Sequence, residues 1–331
     1  MTPPLVSILI DNCNYAQFVR EAIESALSQN YSRLEIIAVD DGSTDQSQEI
    51  ILSYGSRLIP VFKENAGQAS AFNAGVAASR GDILCFLDSD DYFYPEKIAR
   101  IVELFSGLDL SKPLMVHHRL KIIQKDGKAK QQEFIGRVHE SPLNLAECAR
   151  KYKFMNYAAG ATTGISINRR MCELLFPLPG NIRVSADDFI VYGASLVGEL
   201  YSSSDALAAY RVHGKNHWYS TGIKRKSTEF SETLDAYLNQ KLKENNLPGR
   251  ISYSESMWCW GDMVVDERWA ELARRIVRAI AVHHDRHTLL FTYRICRFAA
   301  RQLLKKVVPG MLQRIYRKNI KGIRWRSSAM E

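Results

Sequence analysis

Four short runs rich in apolar and β-branched residues, Val6–Ile10, Glu35–Val39, Leu58–Phe62 and Ile83–Leu87, begin 29, 23 and 25 residues apart. The first gap holds AQFVREAIESALSQ, where Phe18, Val19, Ala22, Ile23, Ala26 and Leu27 form one apolar helical face. The third gap holds GQASAFNAGVAASRG, helix-compatible and small-residue-rich, with Gly81 as its expected stop. Strands alternating with helices at this spacing predict right-handed βαβ units around a mostly parallel, buried sheet.

In such a sheet ligands bind beyond the carboxyl ends of the strands, and each run here ends in polar residues. Asp11-Asn12 follow the first, Asp40-Asp41-Gly42-Ser43 the second, Lys63-Glu64-Asn65 the third and Asp88-Ser89-Asp90-Asp91 the fourth. VDDGSTD has two readings. It is a turn with a positive φ at Gly42 and a helix cap from Ser43 or Asp45, or it carries a carboxylate that accepts the imide N–H of a pyrimidine. FLDSDD sets three carboxylates within four residues at the end of an apolar strand. They repel one another at low dielectric, and Mg²⁺ or Mn²⁺ bridging to phosphate oxygens removes that cost. The competing reading is a cap for a helix PEKIARIVELF opened by Pro95. No GxxxxGK[ST] or GxGxxG loop follows the first strand.

Taken in order, VSILIDNCNYAQFVREAIESALSQ, VDDGSTD and KENAGQASAFNAGVAASRGDILCFLDSDD resemble the nucleotide-sugar half of family 2 glycosyltransferases, across about residues 5–100. The resemblance implies an α/β, GT-A fold: a Rossmann-like, mostly parallel sheet flanked by helices, here with a C-terminal helical extension. It implies that Asp41 contacts the base and that Asp88 and Asp90, the Asp-x-Asp pair, contact ribose and a metal–diphosphate. The expected nucleotide-binding set is Asp11, Asn12, Asp41, Asn65, Arg80 and Asp88. Asp11 stands where the family often has Pro or Thr, and Cys13-Asn14 replaces its usual Tyr-Asn.

Residues 114–135 read as a hairpin around Asp126-Gly127. His117-His118 are adjacent and so face opposite sides of a strand, which favours a structural role over metal binding. AAGATTGISINRRMCELLFPLPGNIRVSADDF resembles the family's acceptor-side segment. The resemblance puts Asp188 in the place of the general base and Asp187 beside it; the alternative is a cap for the helix FIVYGASLVG. ALAAYRVHGKN is similar to a family element that brings His213 to the metal or diphosphate. Arg211 is read either as packing or as neutralising phosphate, and Asp91 joins it in the expected diphosphate and acceptor set. The expected metal ligands are Asp88, Asp90 and His213.

Charge divides the chain. Residues 286–331 hold 12 of the 44 Lys and Arg and a single acid, whereas the preceding 285 residues carry 32 basic and 35 acidic groups. A diffusely basic nucleic-acid binder is thereby excluded. The tail from Leu289 pairs Phe291, Ile295, Phe298, Leu303, Leu304 and Val307 with Arg294, Arg297, Arg301, Lys305 and Lys306. After Pro309-Gly310 the pattern repeats up to Trp325. Such faces suit an anionic membrane surface; packing on the acidic body and RNA binding are the alternatives. His283 and His287 have i,i+4 spacing, but a surface helix is favoured over zinc because no third ligand is evident. No apolar run reaches the roughly 18 residues of a spanning helix, and no signal peptide is recognisable. Six dispersed Cys read as reduced thiols.

The expected organisation is a nucleotide-sugar half (1–105), an acceptor-side half (106–225) and a helical extension with a basic tail (226–331). The expected activity is metal-dependent inverting transfer, with Mn²⁺ or Mg²⁺ as cofactor. A nucleotide-diphospho-sugar, a UDP-sugar in the favoured case, is the donor. The acceptor is a hydroxyl of a cell-surface polysaccharide or lipid-linked glycan. The place of work is the cytoplasm, at the inner membrane face. A non-catalytic nucleotide-sugar-binding module is the alternative from another class. A sugar nucleotidyltransferase is a further one, weakened by the lack of a phosphate-activating loop in DNCNYAQF.

Overall fold

The computed structural model describes residues 3–136, 138, 141–147, 161–214, 216, 228–252, 263–264, 267–282 and eight positions between 292 and 303. It contains two compact units, Met1–Ser254 and Glu255–Glu331.

Continuous apolar runs build the centre of the first unit. Strands β1 (Val6–Asn12), β2 (Leu34–Asp41) and β4 (Ile83–Asp88) are buried along almost their whole length. A parallel strand covered by helices on both faces has no solvent side, so its sequence does not alternate. Strand β3 (Ile59–Lys63) lies at the edge, alternates in burial and tolerates Pro60. These four pair in parallel in the order β3-β2-β1-β4. Helices α1 (Ala16–Leu27) and α3 (Gln68–Ala78) occupy the gaps, and α1 buries Phe18, Val19, Ala22, Ile23 and Ala26, the face read from the sequence. Helix α2 (Ser47–Leu52) links β2 to β3.

Beyond β4 the sheet becomes mixed. Strand β8 (Ile165–Asn168) runs antiparallel to β4 and to β6 (Leu114–Gln124), while β9 (Glu199–Val212) runs parallel to β6. Strand β7 (Ala129–Ile135) closes the expected hairpin on β6, with Gly127 at φ +81° in the turn. Tyr92–Phe93 form a short β5 antiparallel to the distal end of β9. Asp88–Asp91 are therefore held between two strands of one sheet. Helix α4 (Lys97–Ser106) begins only after β5, six positions past Asp91, so the FLDSDD carboxylates do not cap it.

Asn168 ties this half together. It accepts from the N–H of Leu114 and of Met171, capping α5 (Arg169–Leu175), and donates to the carbonyls of Leu110 and Lys112. His117 and His118 are both buried within β6. Gly81 does not stop α3, which ends at Ala78 with Ser79 extended. It sits where strands crowd: its N–H donates to Ser7 Oγ at 2.8 Å, and a Cβ there would lie 2.5 Å from the Ser7 amide nitrogen. Helices α6 (Ala186–Val197) and α7 (Thr228–Glu244) pack on each other through Phe189, Phe230 and Tyr237.

In the second unit, Met263, Val264, Leu272 and Ile295 form a small apolar cluster around helix α8 (Trp269–Val282). No helix of the described residues is long and apolar enough to cross a membrane. His283, His287 and most of the tail from Leu289 lie outside the described residues. Of the cysteines, Cys13, Cys85, Cys172 and Cys296 are described and free, and Cys85 and Cys172 are buried.

Candidate active site

Parallel pairing brings the polar ends of the strands to one edge. Asp11 of β1 is aligned with Asp88 of β4, Asn12 with Asp40 of β2, and Asp41 with Lys63 of β3. A cleft of about 350 Å³ opens there, lined among others by Asp11, Asn12, Asp41, Asn65, Asp88 and Asp90 from this edge and by Asp187 from α6.

The two adjacent acids of VDDGSTD divide their work. Asp40 is fully buried and accepts from Asn12 Nδ2, the Ser43 N–H and Gln48 Nε2. It fixes the turn. Asp41 faces the cleft and accepts from Lys63 Nζ and the N–H groups of Ala66 and Gly67. Asn65 donates to the Asp41 carbonyl and to Cys13 Sγ. The turn reading also holds: Gly42 has φ +69°, and Asp45 accepts from the N–H of Ala16 and of Ser47.

Asp88, Asp90 and Asp91 each place one carboxylate oxygen within 4.8 Å of the others. Burial lifts Asp88 well above the usual carboxylate range, and the charges of Asp11, Asp91, Asp90 and Asp187 add to the rise. Burial also raises Asp91, with Asp90 adding and hydrogen bonds from Thr163 and Arg211 opposing. Asp11 is pushed up to about 7 by burial, with Asp90 adding; contacts with Asp88 and Gln68 offset part of it. Asp11 Oδ1 and Asn12 Oδ1 are buried without a hydrogen-bond partner among the described residues. An all-oxygen, mutually repelling donor set beside orphaned acceptors fits a hard divalent cation.

Residues from distant segments hold this cluster. Thr163 Oγ1 donates to Asp91 Oδ2 at 2.6 Å and accepts from the Asp88 N–H. Behind it, the buried Lys97 donates to the Thr163 carbonyl at 2.8 Å, with its ammonium 3.3 Å from the Phe93 ring centroid. Burial lowers Lys97 to about 7. Gln68 bridges the two halves, donating to Asp88 Oδ1 and accepting from the Ala186 N–H. None of Thr163, Lys97 and Gln68 is in the expected site set. Lys97 carried one sequence signal, a charge on the buried face that Ile98, Ile101 and Phe105 form.

Arg211 is buried and turned away from the cleft. Its Nε donates to the Asp90 carbonyl, one terminal nitrogen to the Lys125 carbonyl and the other to Glu21, while its N–H donates to Asp91 Oδ1. The packing reading of Arg211 is the one its contacts support. His213 Nε2 lies 2.8 Å from Asp90 Oδ2, and its ring packs on Tyr15 and Phe18. The structure does not bring Arg80 to the site. It precedes β4, at the opposite end of the sheet, and pairs there with Glu35. Asp187 and Asp188 both occupy the first turn of α6, and Asp187 is the one lining the cleft. That turn follows Ser185, which is held at φ +60°.

The sequence model of "Glycosyl transferase family 2" matches residues 7–157. An uncharacterized glycosyltransferase of Nostoc sp. (strain PCC 7120) is 34% identical over 265 residues, covering 76% of this chain and 80% of the relative. The putative glycosyltransferase EpsH of Bacillus subtilis (strain 168) is 27% identical over 255 residues, covering 74% of this chain and 72% of the relative. Among solved structures, S. aureus TarS 1-349 in complex with UDP-GlcNAc superposes with a TM-score of 0.53 at 18% identity, over 73% of this chain and 71% of that one. The same protein in complex with UDP gives 0.51 at 18% identity, over 90% and 91%.

The raised carboxyl of Asp11 yields a prediction for the cation-free protein. A group whose folded pKa lies above its unfolded value binds more protons when folded between the two. Stability therefore falls as pH climbs from about 4 to about 7 and stays low above that. Asp11→Asn mimics the protonated form. It should stabilise the protein at pH 8 by on the order of 1–3 kcal/mol and change little at pH 4, read from urea unfolding in EDTA. An equal shift at both pH values would contradict the raised Asp11 carboxyl.

Proposed function

The chain belongs to glycosyltransferase family 2 and has the GT-A fold, and on that premise we propose that it is a divalent-cation-dependent, inverting transferase. It moves a sugar from a nucleoside-diphosphate donor to a hydroxyl of a cell-surface polysaccharide or lipid-linked glycan. The observation that carries the reading is the oxygen cluster of Asp88, Asp90 and Asp91 at the carboxyl end of β4. The TarS complexes hold UDP and UDP-GlcNAc, which supports a UDP-sugar as donor.

Asp41, with Asn65 and Cys13 beside it, is positioned to meet the base, and Asp11 and Asn12 the ribose side. Asp88 and Asp90, backed by Asp91, would hold Mg²⁺ or Mn²⁺. When bound, the ion supplies positive charge against that developing on the leaving diphosphate. His213 orients Asp90 by its 2.8 Å contact, and Arg211 fixes the backbone of the Asp90-Asp91 turn. Asp188 takes the proton of the attacking hydroxyl as the acceptor approaches the anomeric carbon on the face opposite the diphosphate. Asp187, in the cleft wall, contacts the donor. One base suffices, because a nucleoside diphosphate leaves without being protonated.

We also assign the basic, aromatic-bearing tail from Leu289 to the anionic inner surface of a membrane, where each nearby Lys or Arg contributes about 1 kcal/mol. A chain lacking residues 289–331 should stay in the supernatant when mixed with anionic vesicles and keep its turnover. Unchanged vesicle binding would remove the assignment.

Release of nucleoside diphosphate from UDP-, dTDP-, GDP- and ADP-sugars, with Mn²⁺, Mg²⁺ or EDTA, tests the reaction. Turnover is expected from one donor base and is expected to be lost in EDTA; turnover undiminished by EDTA would contradict the cation dependence. Asp188→Asn should lower turnover by about 10²–10⁴ with donor affinity kept, whereas Asp187→Asn should weaken the donor. The reverse pattern would exchange the two roles.

A further inference from the structure

Among the described residues lining the cleft, five are aspartates (Asp11, Asp41, Asp88, Asp90 and Asp187) and one is a cation, Arg183. A nucleoside diphosphate brings further negative charge into this wall. One general remedy, the free N–H groups at a helix N-terminus, is already used here. At the start of α3, the Gln68 N–H donates to the Arg183 carbonyl and the Ala69 N–H to the Ile182 carbonyl, both at 3.1 Å. The preceding N–H groups, of Ala66 and Gly67, go to the Asp41 carboxylate at 3.0 and 2.7 Å. The first turn of α3 therefore has little to offer a phosphate.

Arg183 is anchored by its backbone and open at its side chain. Gly67 has no side chain because a Cβ there would fall 2.4 Å from Arg183 Cα. The guanidinium is exposed, and the hydrogen bond it makes among the described residues runs from one terminal nitrogen to Asn65 Oδ1 at 2.8 Å. A guanidinium carries five N–H donors in a planar fork that matches phosphate oxygens. Among the described residues most of its donor capacity is thus unused, in a residue that borders the cleft and whose backbone is held by the start of α3.

We infer that Arg183 is a cation for the donor diphosphate and lets the cleft favour a nucleoside diphosphate over a nucleoside. This rests on the nucleotide-sugar reading above. It also gives the loop before α6 a role in donor binding as well as in carrying the acid pair of Asp187 and Asp188. A purely structural role is the competing account: Arg183 would hold Asn65, and through it the Asp41 end of the cleft. That account predicts equal losses for nucleoside and nucleotide.

The test is calorimetric titration in Mn²⁺ with UDP, dTDP, GDP and ADP. The nucleotide that the unaltered chain binds most tightly is then compared with its own nucleoside. Arg183→Gln should weaken the diphosphate by about tenfold or more, since it removes a charge-assisted hydrogen bond. It should leave the nucleoside within about twofold, below the tenfold that one such bond represents. Arg183→Lys should recover part of the loss, because it restores the charge without the fork. The melting temperature should be unaltered, because the side chain is exposed. Unchanged diphosphate affinity in Arg183→Gln, or equal loss for diphosphate and nucleoside, overturns the assignment and leaves the nucleotide-sugar reading standing. Failure of the unaltered chain to bind any of the four overturns both.

Discussion

Repulsion among carboxylates that the fold forces together is the constraint on which the rest of this structure depends. Asp11, Asp88, Asp90 and Asp91 converge at the end of two adjacent parallel strands and the turn that follows. Strand register holds Asp11 and Asp88, and hydrogen bonds from Thr163 and the Arg211 N–H hold Asp91. Burial raises three of them, Asp11, Asp88 and Asp91, and the charge of Asp90 adds to each. Other parts of the chain brace this edge, and a bound cation would offset its charge.

The bracing draws on the mixed half of the sheet. The mixed half of the sheet delivers Thr163 to Asp91, with Lys97 beneath the Thr163 carbonyl. The end of strand β9 delivers Arg211 and then His213, which bond the Asp90-Asp91 turn at the Asp90 carbonyl, Asp91 Oδ1 and Asp90 Oδ2. Gln68 links Asp88 to the start of α6, so the acid pair at that helix is tied to the cluster by a single side chain. The β4 cluster and the start of α6 are thus parts of one network. The relatives share its family, and the TarS structures share its fold.

The strands and the ligand edge were legible in the sequence because both follow from local pattern. Apolar runs at βαβ spacing place the strands, and parallel pairing then forces Asp11, Asp41 and Asp88 onto one edge. The same logic excludes Arg80, which precedes β4 and so must lie at the opposite end; its place within a recognisable motif concealed that. Thr163 was not legible as a ligand support, because its partner lies 72 positions away and the pairing depends on how β8 is inserted beside β4. Arg183 sits in a stretch with no periodicity, and its charge acquires meaning only once the cleft it borders proves to be lined by acids. Arg211 shows the limit of residue type as a guide: its backbone N–H and its guanidinium bind the turn that carries Asp90 and Asp91, a contact that residue type alone does not reveal.

If relief of this repulsion by a cation and a diphosphate is what the site is for, the two ligands must strengthen each other's binding, and reciprocally. Titration of Mn²⁺ followed by electron paramagnetic resonance, with and without the nucleoside diphosphate, measures that coupling directly. The account predicts that the nucleotide tightens Mn²⁺ by about tenfold or more and that Asp90→Asn abolishes the gain. Equal Mn²⁺ affinity with and without nucleotide, or an unaltered gain in Asp90→Asn, would contradict it.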